Sequence, residues 1–424
     1  KTDRVVSDLL RADSFSNISL NRQKTALIKK YAQYSPSIEY VSRAQLKVAG
    51  LRFNPKNFRP ISNTYTRKIV YFDLANKLDD EIKFSEKSII GRTAWSEDGK
   101  NLLVGIETAD CYQLWIVKIP SLKKKQIPGL CMNEIMGDSF YWVNDQEVFI
   151  STRTKAQAKA ISVEKVAPIG PVIQESLGRV AQNRTYQDLI KNQQDEQILT
   201  LAIKSQPVIY NIKSATTKKI GREDLYSGVS LSPDKKRFLV AKVVQPYSYV
   251  VPISYFARQF EVWDRHGQVT HVLHKSGPFE NVPIQGVVTG PRRMNWLSDE
   301  AATLTYVQAL DGGDWKNKVD YRDEVFKLYL LAGGKTKDES IYKVKNRFIS
   351  LDVLDRQLGY LVEDYERDSK WVTTRFLKFE NSKLIQDKVL FSLSEDDAYN
   401  SPGSPYYVLN SYNRAVVAVD ADHQ

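Results

Sequence analysis

The sequence predicts an all-β protein, a β-propeller of about seven blades whose last blade is incomplete, carrying two short helical inserts. Three observations predict it. One hairpin pattern recurs six times along the chain: a strand ending small-aromatic-Ser, an acidic turn, an apolar strand, a second turn and a further strand. Within each copy the apolar residues alternate at period two, which turns one row of side chains toward a neighbouring blade. The turns are of Ser-x-Asp-Gly type and reverse the chain with little strain.

The clearest copy runs Thr93-Ala94-Trp95-Ser96, turn Glu97-Asp98-Gly99-Lys100, strand Leu102-Leu103-Val104-Gly105-Ile106, turn Thr108-Ala109-Asp110, strand Tyr112-Gln113-Leu114-Trp115-Ile116-Val117. The pattern opens at Ile18-Ser19-Leu20 with Ala26-Leu27-Ile28, and returns at Tyr141-Trp142-Val143 with Val148-Phe149-Ile150. Further copies stand at Val229-Ser230-Leu231-Ser232, Met294-Asn295-Trp296-Leu297 and Ile349-Ser350-Leu351-Asp352. Third strands follow in register, among them Ile69 to Leu74, Val208 to Ile212, Phe260 to Asp264, Val325 to Leu330 and Arg375 to Phe379. A seventh blade begins at Tyr406-Tyr407-Val408-Leu409 and continues through Ala415 to Val419. Two strands are short of a blade, so its completion is expected from residues Arg4-Val5-Val6 or from further chain.

Two inserts read as helical. Over residues 35–50, Ser35 serves as cap and Pro36 as first residue, with Ile38, Val41, Ala44 and Val48 at near-helical spacing before Gly50. Over 185–203, Thr185 and Asp188 form a capping box. The Ala- and Lys-rich stretch from Ala156 to Val166, followed by Pro168-Ile169-Gly170-Pro171, reads as an excursion between strands.

The totals narrow the function classes. The 424 residues fit one propeller domain, 1–424, and no apolar run approaches the roughly 20 residues that cross a bilayer. Net charge is +11, but its 61 basic residues are spread among 50 acidic ones, and Lys123-Lys124-Lys125 is the one run of three lysines, which argues against a nucleic-acid partner. The surplus favours acidic peptides instead. Cys111 and Cys131 match no zinc spacing, and two thiols in neighbouring strands are expected rather than a disulfide. His266, His271, His274 and His423 are expected at the surface; His271 and His274, three apart on a strand, cannot share a metal. Asp311-Gly312-Gly313-Asp314 lacks the ligands of a calcium loop and reads as a tight turn. No cofactor is expected.

Several stretches go beyond generic propeller: Ser35-Pro36-Ser37-Ile38-Glu39 through Leu46 to Asn54, and Thr185 to Asn192 with Asp195-Glu196. To these add Pro246-Tyr247-Ser248-Tyr249-Val250-Val251-Pro252, Val262-Trp263-Asp264-Arg265, Thr289-Gly290-Pro291-Arg292 and Ala309-Leu310-Asp311-Gly312-Gly313-Asp314. In this order they resemble the N-terminal propeller of glutamyl endopeptidase-like members of the prolyl oligopeptidase family of serine peptidases. The resemblance implies a propeller that gates peptide entry to a C-terminal α/β-hydrolase domain cleaving after acidic residues, in a bacterial cell envelope, periplasmic or secreted. These residues hold no nucleophile elbow: Gly228-Val229-Ser230-Leu231-Ser232 lacks the second glycine of Gly-x-Ser-x-Gly, so no catalytic residue is assigned and no activity is expected of the chain alone. Arg52, Arg265 and Arg292 fall in family-like motifs and are candidates to meet an acidic side chain of a peptide substrate. Tyr247 and Tyr249, between two prolines, are candidates for a lip that touches peptide or the hydrolase domain. The alternative is a lone, non-catalytic propeller that binds peptide or protein.

Overall fold

A computed structural model describes residues 12–33, 36–62, 65–85, 88–137, 139–154, 157 and 185–420. The chain divides into two compact units, the first Lys1–Glu175, Tyr186–Gly228 and Lys242–Phe256, the second Ser176–Thr185, Val229–Ala241 and Ala257–Gln424. The fold is an all-β propeller built of antiparallel four-stranded meanders.

In the first unit, β1 (Asp13–Leu20), β2 (Ala26–Gln33), β5 (Tyr65–Asp73) and β6 (Leu78–Glu81) form one meander, with the hairpin β3 (Leu46–Val48) and β4 (Leu51–Phe53) inserted between β2 and β5. A second comprises β7 (Ile89–Trp95), β8 (Asn101–Glu107), β9 (Tyr112–Lys118) and β10 (Lys124–Gln126). Because β6 pairs only with the Val70–Asp73 half of β5, Thr66 is free to pair with Ile90, and this bridge joins the two meanders into one sheet. A third comprises β11 (Phe140–Asn144), β12 (Glu147–Thr152), β13 (Gln206–Asn211) and β14 (Thr216–Lys219).

The remaining meanders, which lie in the second unit except for Tyr226–Gly228 and Lys242–Val243, are β15 (Tyr226–Leu231), β16 (Arg237–Val243), β17 (Arg258–Asp264), β18 (Val269–Lys275); β19 (Arg292–Trp296), β20 (Thr303–Ala309), β21 (Asp323–Leu330), β22 (Thr336–Val344); and β23 (Arg347–Val353), β24 (Tyr360–Glu366), β25 (Trp371–Glu380), β26 (Lys383–Ser394). The expected seventh blade is a two-stranded hairpin, β27 (Tyr407–Leu409) and β28 (Ala415–Val417). It reaches several first strands of this unit: Val417 bridges to Leu354 in parallel, the Tyr407 hydroxyl donates to Asp352 Oδ1 at 3.0 Å, and Arg414 Nη2 donates to the Leu231 carbonyl.

The core lies between consecutive meanders, as the alternation predicts. Ile28, Ile69 and Tyr71 pack on Leu102, Val104 and Ile106, while Leu103, Leu114 and Ile116 on the opposite row pack on Phe140, Val148 and Val208. Each such side chain removed from water stabilises the fold by roughly 1.5–3 kcal/mol. Polar ties hold the same faces. Indole N–H groups of first-strand tryptophans donate to the preceding first strand: Trp95 to Ser19 O (3.2 Å), Trp142 to Ala94 O (2.9 Å) and Trp296 to Ser230 O (3.1 Å). The Ser-x-Asp turns close on themselves, with the buried Ser96 hydroxyl donating to Asp98 Oδ1 (2.7 Å) and accepting from Asn101 N (2.9 Å); Ser232 repeats this with Asp234 and Arg237.

The inserts differ from expectation. Over 35–50 the helix is a single turn, Ile38–Val41, capped by Ser37, whose hydroxyl accepts from Tyr40 N. Its apolar residues are exposed, Ile38 by 87%, so no buried face extends it. Ala49 and Gly50, at φ 52° and 79°, instead form the two-residue turn of the hairpin β3–β4. A Cβ on Gly50 would stand 2.7 Å from Pro252 Cβ, so the close approach also needs glycine. In the second insert the helix is Gln193–Ile203, capped not by Thr185 but by Asn192, whose Oδ1 accepts from Asp195 N at 2.9 Å. Leu199, Ala202 and Ile203 bury against Phe53, Phe58 and Phe256, giving the inserts a core of their own.

Two further expectations change. Cys111 and Cys131 form a disulfide. Met132 N donates to Tyr112 O at 2.8 Å, which lays the following segment beside the start of β9 and brings the two Cα atoms to 5.3 Å, inside bonding range. His271 is buried rather than exposed, with Nε2 2.9 Å from the Leu331 carbonyl. Readings placed on Arg4-Val5-Val6, Ser35, Ala156 to Val166 apart from Gln157, Pro168 to Pro171 and His423 lie outside the described residues. Among the described residues no helix is long and apolar enough to cross a membrane.

Candidate functional site

The structure treats the five candidate site residues differently. In the first unit, Arg52 on β4 is half exposed and spends its guanidinium on Asp188 Oδ2 (2.7 Å) and Gln187 Oε1 (2.8 Å), bracing the hairpin to the segment before the helix. Tyr247 is a core residue, 6% exposed, stacked on Phe256 with its hydroxyl 2.8 Å from Thr200 Oγ1. Burial raises its pKa, and the Thr200 and Gln245 bonds work against that. Tyr249 packs half-buried on the same cluster, its pKa raised by burial and then by Glu196. Arg52 thus ties the two inserts to each other, and Tyr247 and Tyr249 pack into the core that the inserts form.

In the second unit, Arg265 follows β17 with its guanidinium 5.6 Å from the centre of the Phe238 ring. Arg292 opens β19 and enters a cluster of charge at the end of that meander, where β20 hands over to β21. Asp311 precedes the tight Gly312-Gly313 turn, as the sequence reading has it, and Gly313 N donates to its Oδ1 at 2.9 Å. Its Oδ2 takes Arg322 Nη1 at 3.1 Å and Arg347 Nη2. Asp323 sits at the first position of β21 and is fully buried; its Oδ1 accepts from Arg347 Nη1 (2.7 Å) and its Oδ2 from Phe348 N (2.8 Å). Arg347 thus bridges both acids.

Arg292 is the surplus member. Its side chain is 9% exposed, and Nη2 forms an ion pair with Asp323 Oδ2 at 2.5 Å. Nε and Nη1 are buried with no acceptor among the described residues. Burial lowers the pKa of this guanidinium; Asp323 opposes the shift, and the like charges of Arg347 and Arg293 add to it. An arrangement with spare, desolvated donors can hold an anion.

The first unit has a related cluster. Glu107, at the end of β8 and 3% exposed at its side chain, takes Arg43 Nη1 (3.1 Å), Arg59 Nη1 (2.6 Å) and Asn57 Nδ2 (3.0 Å). Arg59 Nε also holds Glu134 (2.7 Å), and its guanidinium lies 4.4 Å from the Tyr112 ring centre. Burial disfavours the Arg59 charge, but Tyr112, Glu134 and Glu107 outweigh it and hold its pKa above the usual value. Beside this cluster, Phe84, Ile106, Trp115 and Lys124, with Glu39 and Arg43, line a cavity of about 400 Å³.

The sequence reading found Arg292 and Asp311 and missed Asp323, Arg322 and Arg347. One signal was available for Asp323: it shares a face with the buried Val325, so a charge stands in an apolar row. Ser230 lies in the exposed part of β15, and its carbonyl serves Trp296.

No family model matches the chain. It is 27% identical over 435 residues to a protein of Oryza sativa subsp. japonica named "Probable glutamyl endopeptidase, chloroplastic", an alignment covering 97% of this chain and 45% of that protein. An Arabidopsis thaliana protein of the same name is 27% identical over 412 residues, covering 92% of this chain and 41% of its own length. The chain therefore spans less than half the length of the curated relatives it matches. Among solved structures it is similar to a Pyrococcus horikoshii acylaminoacyl peptidase, with TM-score 0.43, 10% identity, and coverage of 89% of this chain and 46% of that one. It is also similar to the β-propeller domain of the Trilobed protease from Pyrococcus furiosus, with TM-score 0.38, 10% identity, and coverage of 92% and 98%.

Proposed function

We propose that this chain, similar to the N-terminal part of proteins named glutamyl endopeptidase, gates and selects peptides for a serine endopeptidase of the prolyl oligopeptidase family that cleaves after acidic residues, chiefly glutamate. The observation that carries this reading is a similarity running over 97% of the chain to a protein named for that activity. The Asp311–Asp323 cluster supports its second half, because a surplus guanidinium complements an acidic side chain. Nucleophile, base and oxyanion donors belong to an α/β-hydrolase domain of the parent protein, outside these 424 residues. The propeller's part is exclusion: rigid meanders admit extended peptides and keep folded proteins from the catalytic serine.

The compartment proposed is a bacterial cell envelope, periplasmic or secreted, supported by the Cys111–Cys131 disulfide, a bond that persists in oxidising surroundings. The test is labelling by a serine-reactive phosphonate. A full-length protein that carries the proposed α/β-hydrolase domain is expected to label and to hydrolyse a Glu-containing peptide in preference to its Gln counterpart, while the 424-residue chain does neither. Labelling of the 424-residue chain, or a parent indifferent to Glu against Gln, refutes the reading.

A further inference from the structure

We propose that Arg292, backed by Arg347 and Arg322, forms a carboxylate-binding site at the end of the meander β19–β22 that takes the side chain of a glutamate in a bound peptide. The argument starts from a count of charge. Three guanidinium groups converge on two carboxylates, and those carboxylates are already served. Asp311 has Gly313 N, Arg322 and Arg347; Asp323 has Phe348 N and Arg347 besides the Arg292 ion pair. Glu366, which feels the Arg322 charge, is occupied by Ser369. One positive charge remains over, and it is localised on Arg292, two of whose nitrogens find no acceptor among the described residues.

Burying such a group without a partner is unfavourable, and arginine cannot escape by losing its proton. A monoanion supplies the missing charge and acceptors together, and a planar carboxylate matches the guanidinium better than a tetrahedral dianion matches a single surplus charge. Depth selects the side chain. With 9% of the Arg292 side chain exposed, its donors are reached more readily by a carboxylate on an extended side chain than by one attached directly to the main chain. Glutamate has one methylene more reach than aspartate. The segment before Arg292 docks on the loop that carries Asp311: Val287 N donates to Gly313 O at 2.9 Å, and Trp315 Nε1 to Ile284 O at 3.1 Å.

The peptide nature of the ligand rests on the function proposed above; the affinity for a carboxylate stands without it. The experiment therefore reads binding, not hydrolysis. The 424-residue chain, labelled with 15N-arginine, is titrated with Ac-Ala-Glu-Ala-NH2, Ac-Ala-Gln-Ala-NH2, sodium acetate and inorganic phosphate while the Arg292 Nε–H resonance is followed, with Arg292→Met for assignment and a thermal melt to show that the variant folds. The Glu peptide is expected to move that resonance and to bind roughly tenfold or more tightly than the Gln peptide, a preference lost in Arg292→Met. Acetate binding without discrimination between the peptides keeps the anion site and overturns the peptide ligand. A preference for phosphate over acetate, or a resonance that no anion moves, overturns the site itself.

Discussion

The two charge clusters are built on one plan and differ by one residue. Each lies at the end of its meander where the second strand gives way to the third, and in each one arginine bridges two acids: Arg59 joins Glu107 to Glu134, Arg347 joins Asp311 to Asp323. Each also has a helper, Arg43 on Glu107 and Arg322 on Asp311. Around Glu107 the neutral Asn57 completes the shell, whereas at the Asp323 end the further group is a charged one, Arg292. The pKa shifts move accordingly. The Arg59 charge is reinforced against the cost of burial, and the Arg292 charge is opposed first by burial and then by its own kind. A bridging arginine thus has a structural role, and a surplus one is available for a ligand.

The bridging arginines carry the largest expected effect. Arg59→Met leaves Glu134 without its ion pair and Glu107 with Arg43 alone; Arg347→Met removes one ion pair each from Asp323 and Asp311, whose carboxylates are fully buried, and leaves them Arg292 and Arg322. Breaking a buried pair from one side strands a charge and costs about 3–5 kcal/mol. Denaturant melts of both variants are expected to lose stability on that scale, with Arg347→Met the worse. Comparable melts to wild type would break the parallel between the clusters.

How far this was readable from the sequence follows from the range of each interaction. The meanders were legible because alternation and the Ser-x-Asp turn are local: Ser96, Asp98 and Asn101 close on one another within six residues. The turn at Asp311 was legible for the same reason. Two local signals competed over 35–50, a helical spacing of Ile38, Val41, Ala44 and Val48 against the turn residues Ala49-Gly50, and contacts far along the chain, such as Gly50 on Pro252, favoured the hairpin. Arg292 could be picked out by its motif, but its meaning required Asp323 and Arg347, 31 and 55 residues on, which the pairing of strands alone brings together. The disulfide escaped likewise, since the segment that carries Cys131 is laid against β9 by a bond from Met132 to Tyr112.

A middle-sized effect sharpens the comparison by asking what a surplus cation does when it can titrate. Lys30 on β2 has its pKa lowered to about 8 by burial and then by the charge of Arg92, with the Gly91 carbonyl 3.3 Å from its Nζ. The unfolded chain holds that proton until about pH 10.5, so between pH 8 and 10.5 the unfolded state binds more protons than the folded one. Stability contributed by this group therefore rises with pH across that window and is least below it. Relative to Lys30→Met, the wild-type chain is expected to gain on the order of 1 kcal/mol between pH 7 and 9.5, in paired thermal melts. A flat difference would mean that the ammonium is better solvated than its setting indicates.

Arg292 cannot make that adjustment, and its removal is the smallest change expected. Arg292→Met takes away one of three guanidinium groups and leaves Arg347, Arg322 and two backbone N–H groups for the two aspartates, a balanced set. The lost ion pair is offset by relief of a desolvated charge, and replacing such a charge by an apolar side chain of similar size is often neutral or stabilising. The melt of Arg292→Met is expected within about 0.5 kcal/mol of wild type, on either side. In the proposed parent peptidase the same position should matter in another measurement: Arg292→Glu is expected to lower kcat/KM for a Glu substrate while sparing a Gln substrate. A substitution that leaves the fold intact and removes the preference separates a ligand-binding arginine from a structural one. A loss of stability as large as that of Arg347→Met would place Arg292 among the bridging residues and leave the cluster without a vacancy for an acid.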